Sequence, residues 1–413
     1  RTAGTMSGLA FAQAPPPSYP LRFLATSLLW GALAGAWLLA GGDALLLSVH
    51  APATIALVHV FTLGLLGNAM LGSLVQFLPV AATSPLPVAR GVAPLHATFN
   101  LGVVLLLPAI ATHSILFGML AAPLLLGTLA LSAGAVLVAV VRGSGARAVR
   151  IGIGLAAASL LAALVLGAAL LSMRLGWLAP ARPLTAAHAG FGLLGWVLGL
   201  LAAVGSMVMP MLQGVRCIAP AWLWAWLVLL AGVMLAAAAD GLGATLPAAG
   251  ARTLATLPLL LFAATVIVLQ LRAPHRRGTV LRRFWALGGV ALGCGALAIW
   301  LPGQGVLAGT LVVAVGFPAL VLGMAMEITG FLAWIELRRR MPRGTRVPGV
   351  GSLFDERHKR RVWWLHAAAS LSLAVACVLP GLVRVSGALL VLAWLGAAHA
   401  LWRCWRSAST WQA

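Results

Sequence analysis

The sequence predicts an all-α, polytopic membrane protein, and three observations predict it. Of 413 residues, 62% are hydrophobic and only 8% are charged, whereas a soluble domain carries about 25% charged residues. The apolar residues form long continuous runs, without the alternation that an outer-membrane β-barrel needs. Each run is close to the ~20 residues that cross a bilayer as a helix. A water-soluble enzyme is excluded for lack of polar surface, and so is a disordered or fibrous chain.

Twelve runs follow in order, at 23–40, 53–79, 92–112, 115–141, 151–172, 186–209, 221–239, 254–271, 284–300, 306–334, 363–382 and 387–402. Segment 1–22 before them is polar and Pro-rich (Pro15-Pro16-Pro17) and has no separate apolar core of the kind a signal peptide carries. Span two carries His59 and ends at Pro79; span three holds His96 and closes on His113. Span six opens at His188 and ends at Pro210. Span ten contains Glu327 and leads into a basic loop, 335–362. Span eleven opens with Trp363-Trp364 and His366, span twelve carries His399, and 403–413 form the tail. Residues 23–402 are thus read as one membrane domain. Abundant Gly and Ala fit helices whose backbones pack closely.

The net charge of +21 is explained by topology. With the N-terminus, the even-numbered loops and the C-terminus on one side, 23 of the 27 Lys and Arg fall there. The others are Arg174, Arg182, Arg252 and Arg384. The positive-inside rule then places both termini in the cytoplasm, with the inner membrane of a bacterium as the expected location. The densest cluster runs from Arg338-Arg339-Arg340 through Arg343 and Arg346 to Arg357, Lys359, Arg360 and Arg361. It reads as a topology anchor against membrane lipid. No nucleic-acid partner is expected, because the aromatic interleaving of a single-strand binder is missing. The four cysteines (Cys217, Cys294, Cys377, Cys404) have no metal-site spacing, so neither a disulfide nor a thiolate metal site is expected.

Ionisable groups inside a membrane are costly and mark candidate functional sites. Of six acids only Glu327 lies well inside a span, too few for a carboxylate-lined cation pathway. Glu327 is read as a proton-carrying or polar site, or as a neutral hydrogen-bonded acid; a histidine or an arginine is its expected partner. The nine histidines are more informative. His59 and His188 lie towards the periplasmic side, with His50 and His113 at that interface. His96, His366 and His399 lie in the cytoplasmic half, and His275 and His358 in basic loops. Imidazole is the commonest metal ligand and an axial ligand of haem iron. His59 and His188 are therefore candidate haem or metal ligands. The plainer alternative is a helix-end histidine bonded to a backbone carbonyl or interfacial water. For His96, His366 and His399 the alternatives are a second cofactor site and ordinary interhelical bonding.

Spans two and six also resemble each other. Each places its histidine just before Gly-Leu-Leu-Gly, at Gly64–Gly67 and Gly192–Gly195, then an apolar run and a proline. The offset is four spans. Four more reach span ten at Gly323-Met324-Ala325-Met326-Glu327, which has no histidine. This predicts three four-helix arcs around a pseudo-threefold centre. Glycine beside a histidine leaves room for a flat macrocycle.

These features resemble the catalytic subunit of haem-copper oxidases and nitric oxide reductases. The stretches that carry the resemblance are His59 through Pro79-Val80, His188 through Trp196 and on to Met209-Pro210-Met211, and Gly330 through Trp334. They look like a divergent bacterial member of that superfamily, and more distantly like the NnrS family of twelve-span haem- and copper-containing proteins linked to nitric oxide stress. The opening Tyr19-Pro20-Leu21-Arg22-Phe23-Leu24 is similar to NnrS as well. The resemblance implies one or two haem b groups, copper as a candidate metal, and quinol or a redox protein as electron donor. It implies His59 as a low-spin haem ligand and His188 as a haem or copper ligand. The departures are clear: spans seven and ten hold no histidine and no His-His pair exists, so the oxygen-reducing binuclear centre cannot be assembled. The usual span-ten partner of His59 is absent, and position makes His188 the replacement. His96, His366 and His399 would form a second haem or quinone-headgroup cluster. Two other functions compete: a transporter or channel for a small neutral or anionic solute, and a non-catalytic assembly or structural subunit.

Overall fold

The computed structural model describes residues 15–411 except 82, 85, 88–90, 180–183, 245–246, 274–278 and 343. Expectations for residues 1–14, Arg90, Arg182, His275, Arg276, Arg277 and Arg343 lie outside the described residues. Among the described residues there is no strand, and eleven helices are long and apolar enough to cross a membrane. We count 3-10 and π turns with the helices they continue. The helices are then α1 Ser18–Leu46, α2 Pro52–Pro79, α3 Val92–Thr112, α4 Ile115–Arg142, α5 Arg147–Arg174, α6 Thr185–Gln213, α7 Pro220–Gly241, α8 Ala248–Leu271, α9 Val280–Ala298 and α10 Gly305–Arg340. A charged helix, α11 Glu356–Ala376, and a last apolar one, α12 Pro380–Thr410, complete the chain.

The expected twelve spans thus become eleven apolar helices plus α11. That helix starts earlier than the expected 363–382 because Asp355 caps it, its Oδ1 accepting from the Arg357 amide at 2.8 Å. A side-chain acceptor at this position satisfies one of the amides that a helix start leaves open. Its first turns therefore carry Glu356, Arg357, Lys359, Arg360 and Arg361, which interrupt the apolar run. The expected basic loop 335–362 is likewise shortened, since α10 stays helical to Arg340. Proline opens α2 and α7, a position where its missing N–H costs nothing.

Three helices differ from the rest. In α2, α6 and α10, 72%, 61% and 72% of the apolar window is buried, against 33–56% in the other eight. The same three are the ones that contain a π-helical segment: Val60–Gly67 in α2, Gly190–Leu198 in α6 and Thr310–Gly316 in α10. A π turn is rare and frequently marks a functional site. Each segment lies near the start of its helix, at the end of the bundle away from Arg338–Arg340. In α10 the shared feature therefore sits at Thr310–Gly316, earlier than the Gly323 stretch that the sequence comparison matched to α2 and α6.

The chain ends are joined by the packing of α1 on α12, while α4 packs on α5 and α8 on α9. Glycine makes the α1–α12 crossing close: a Cβ on Gly35 would sit 2.6 Å from the Val391 amide nitrogen, and one on Gly387 would sit 2.6 Å from that of Leu39. A larger residue at either point forces the two backbones apart.

Candidate cofactor site

His59 ends the α-helical turn that precedes the π segment of α2, and His188 sits just before the π segment of α6. The fold brings the two imidazoles together. Their ring centres are 6.2 Å apart and their planes are within 22° of parallel. His59 Nδ1 lies 2.8 Å from the Ile55 carbonyl oxygen, one turn back on its own helix. His188 Nδ1 lies 2.9 Å from the Ala163 carbonyl oxygen on α5. A carbonyl oxygen only accepts, so both Nδ1 atoms carry the proton and both Nε2 atoms present a lone pair. Fixing one ring nitrogen on a carbonyl is the usual device that orients a metal-ligating histidine.

The separation of the ring centres, taken alone, matches that of two imidazoles on one metal ion. An imidazole nitrogen lies ~1.1 Å from its ring centre and forms metal bonds of about 2.0–2.1 Å, so two imidazoles facing across one ion have centres about 6.3 Å apart. Glycine supplies the room. A Cβ on Gly167 would come within 3.0 Å of His188 Cε1, so glycine lets α5 approach the ring. Gly192, one turn after His188, has nothing within 4 Å of where its Cβ would be. The donor set also discriminates between cofactors. Among the described residues no three His, Cys, Asp or Glu side chains gather to hold a bare metal ion. A haem needs only two axial ligands from the protein, and this pair offers two nitrogens; copper would find the same two and no third.

His96, His366 and His399 each have their own neighbours. His96 Nε2 is 2.9 Å from Thr26 Oγ1, and its ring meets Phe23 edge-on, so it binds α3 to α1. His366 is fully buried between Phe284 of α9 and Trp394 of α12, with ring centres at 5.7 and 5.6 Å. Neither of its nitrogens has a hydrogen-bond partner, yet bulky side chains stand where a macrocycle would go. His399 is exposed beside Trp402. The three histidines expected to share a second site thus have three different sets of neighbours.

Glu327 has a partner that neither expected residue type supplies. Lys359 Nζ donates to its Oε1 at 2.6 Å, and the two side chains are 4% and 14% exposed. Lys359 is the sole lysine of the chain. Its place in an arginine-rich run hid it, although it lies seven residues before His366, on the same buried face of α11. The reading also missed Asn68 and Asn100, the only two asparagines in the sequence. They exchange side-chain hydrogen bonds of 2.9 and 3.0 Å between α2 and α3, and Trp30 Nε1 donates to Asn100 Oδ1 at 2.7 Å. Attention to ionisable groups alone passed over these amides, whose isolation in apolar spans was the available signal.

No model of a known protein family matches this chain, and no curated protein matches it.

Proposed function

We propose that this protein is a haem-binding membrane redox protein, related to haem-copper oxidases and nitric oxide reductases, without a complete oxygen-reducing binuclear centre. The observation that carries this reading is the His59–His188 pair, each ring tied at Nδ1 and open at Nε2, with centres 6.2 Å apart. In this reading Nε2 of His59 and Nε2 of His188 would hold the iron of one haem b. The haem supplies reversible one-electron chemistry; the chain's residues orient, enclose and insulate it. The Ile55 and Ala163 carbonyls set the tautomer of each ring, Gly167 makes room for the His188 ring, and Gly192 leaves open space beside it. Two histidine ligands from the chain would suit electron transfer. Quinol or a redox protein would be the donor.

The reading also takes α11 as a twelfth span and groups the helices as three arcs, α1–α4, α5–α8 and α9–α12. Each arc then contributes its second helix, with its π segment, to the centre. Both termini lie on the cytoplasmic side of a bacterial inner membrane, where the arginines concentrate. The test is an absorption spectrum of the purified protein. A Soret band with b-type reduced-minus-oxidised bands is expected. A colourless protein, isolated under conditions that retain haem in a control, rejects the proposal. A second reading, a channel or transporter for a small solute, rests on the same three buried π segments as widened turns in the bundle centre. It predicts a colourless protein with solute flux in liposomes.

A further inference from the structure

The Arg-rich end of the bundle carries positive charge that the chain's own acids do not offset. Four of the six acids lie there, and each already faces another cation. Glu327 and Glu356 meet Lys359, Glu336 meets Arg340 and Asp355 meets Arg357, at N–O distances of 2.6 to 3.9 Å. Among the described residues no ion pair reaches Arg361 of α11 or Arg403 and Arg406 of α12, and all three are exposed. Their counter-charge comes from outside the chain.

Two of these arginines border one groove. α11 and α12 pack side by side and approach closely where a Cβ on Gly396 would come within 3.2 Å of Leu365 Cδ1. Arg361 precedes Leu365 by four residues, while His399 and Arg403 follow Gly396 by three and seven. These spacings keep each set on one helix face. The two helices run in opposite directions, so both sets climb from that contact towards the Arg-rich end. At ~1.5 Å per residue, Arg361 stands ~6 Å and Arg403 ~10 Å beyond it. In the other direction the groove is apolar. Ala368 on α11 and Leu392 on α12 are exposed there, one turn from the contact. Trp364 and Trp402, 60% and 52% exposed, flank the groove, and the Arg406 guanidinium lies 5.2 Å from the centre of the Trp402 ring. Exposed tryptophans of this kind sit at the boundary between membrane and water.

We propose that this groove between α11 and α12 binds an anionic phospholipid. Its phosphate lies between Arg361 and Arg403, with His399 as a further donor, and an acyl chain runs along Leu365, Ala368 and Leu392. Guanidinium groups pair with phosphate through charge-assisted hydrogen bonds, and basic pockets between membrane helices are sites for anionic head groups. A soluble phosphate ester would meet the same arginines but leave the apolar half bare. A zwitterionic phospholipid would cover the apolar half but bring no net charge to the basic half. Arginines that only set orientation need neither the groove nor its apolar floor. The site lies on the exposed side of α11 and α12 and is independent of the His59–His188 reading.

The test is a titration of the full-length protein in nonionic detergent with phosphatidylglycerol, read by the rise in Tm and by the lipid phosphorus that stays with the protein through detergent exchange. A saturable rise is expected. Arg361→Gln and Arg403→Gln should each weaken binding at least fivefold, while Arg361→Lys, which keeps the charge, should weaken it less. Without lipid, all three should melt close to wild type, because the replaced side chains are exposed. Arg142→Gln removes an exposed arginine at the end of α4, outside the groove, and should bind as wild type does. No saturable rise, an equal rise with phosphatidylcholine or with glycerol 3-phosphate, or an equal loss in Arg142→Gln would overturn the proposal. Haem content does not enter: a colourless protein that binds phosphatidylglycerol in this way rejects only the haem reading.

Discussion

Two histidine settings inside the helix bundle differ in kind. His59 and His188 each have one nitrogen on a backbone carbonyl, the other free, and glycine nearby. His366 has both nitrogens free, but Phe284 and Trp394 press on its ring. Burial alone therefore does not make a cofactor site. An oriented donor, a second histidine beside it and adjacent space set the His59–His188 pair apart, and they are what the haem proposal rests on.

The largest expected effect separates these settings. His59→Ala or His188→Ala should remove most of the bound haem, while His366→Phe should keep it and leave the spectrum unchanged. Haem retained fully in both alanine variants would erase the distinction. Next in size is the Glu327–Lys359 pair. Removing one partner of a buried ion pair costs about 3–5 kcal/mol, and replacing both by apolar residues costs far less. Glu327→Gln and Lys359→Met should each lower Tm strongly, and the double variant Glu327→Leu/Lys359→Met should recover most of the loss. Additive losses would show that the two side chains do not act as a pair.

A smaller effect is expected at Gly167. Valine there crowds the His188 ring at Cε1 and Nδ1, so haem should remain bound with shifted bands. An unaltered spectrum would show that α5 does not confine the ring. The smallest effect concerns Asp355. The amide of Arg357, and then the charges of Arg357, His358 and Arg360, hold this exposed carboxyl below its ordinary value. A carboxyl depressed in the folded state stabilises above its unfolded value and stops doing so as pH falls through the folded one. Asp355→Ala should therefore lower Tm slightly at neutral pH and not at strongly acidic pH.

Much of this was legible in the sequence, for physical reasons. Continuous apolar runs define membrane helices, and the His-Gly-Leu-Leu-Gly spacing singled out α2 and α6, the helices whose histidines now lie 6.2 Å apart. What stayed hidden depends on which side chains meet. In α10 the glycines near Gly323 echo those of α2 and α6, whereas the feature common to the three helices is a π-helical segment, at Thr310–Gly316 in α10. Lys359 read as one cation among many until the cap at Asp355 started α11 early enough to bury it. Asn68 and Asn100 carry no charge, so only their mutual pairing reveals them.

The central claim is that His59 and His188 share one haem, and haem stoichiometry tests it most directly. Pyridine-haemochrome analysis of the wild type, His59→Ala, His188→Ala and the double variant should show the same loss in each single variant, with no further loss in the double. If one substitution spares the haem that the other removes, or if the double loses twice as much, the two histidines serve different sites.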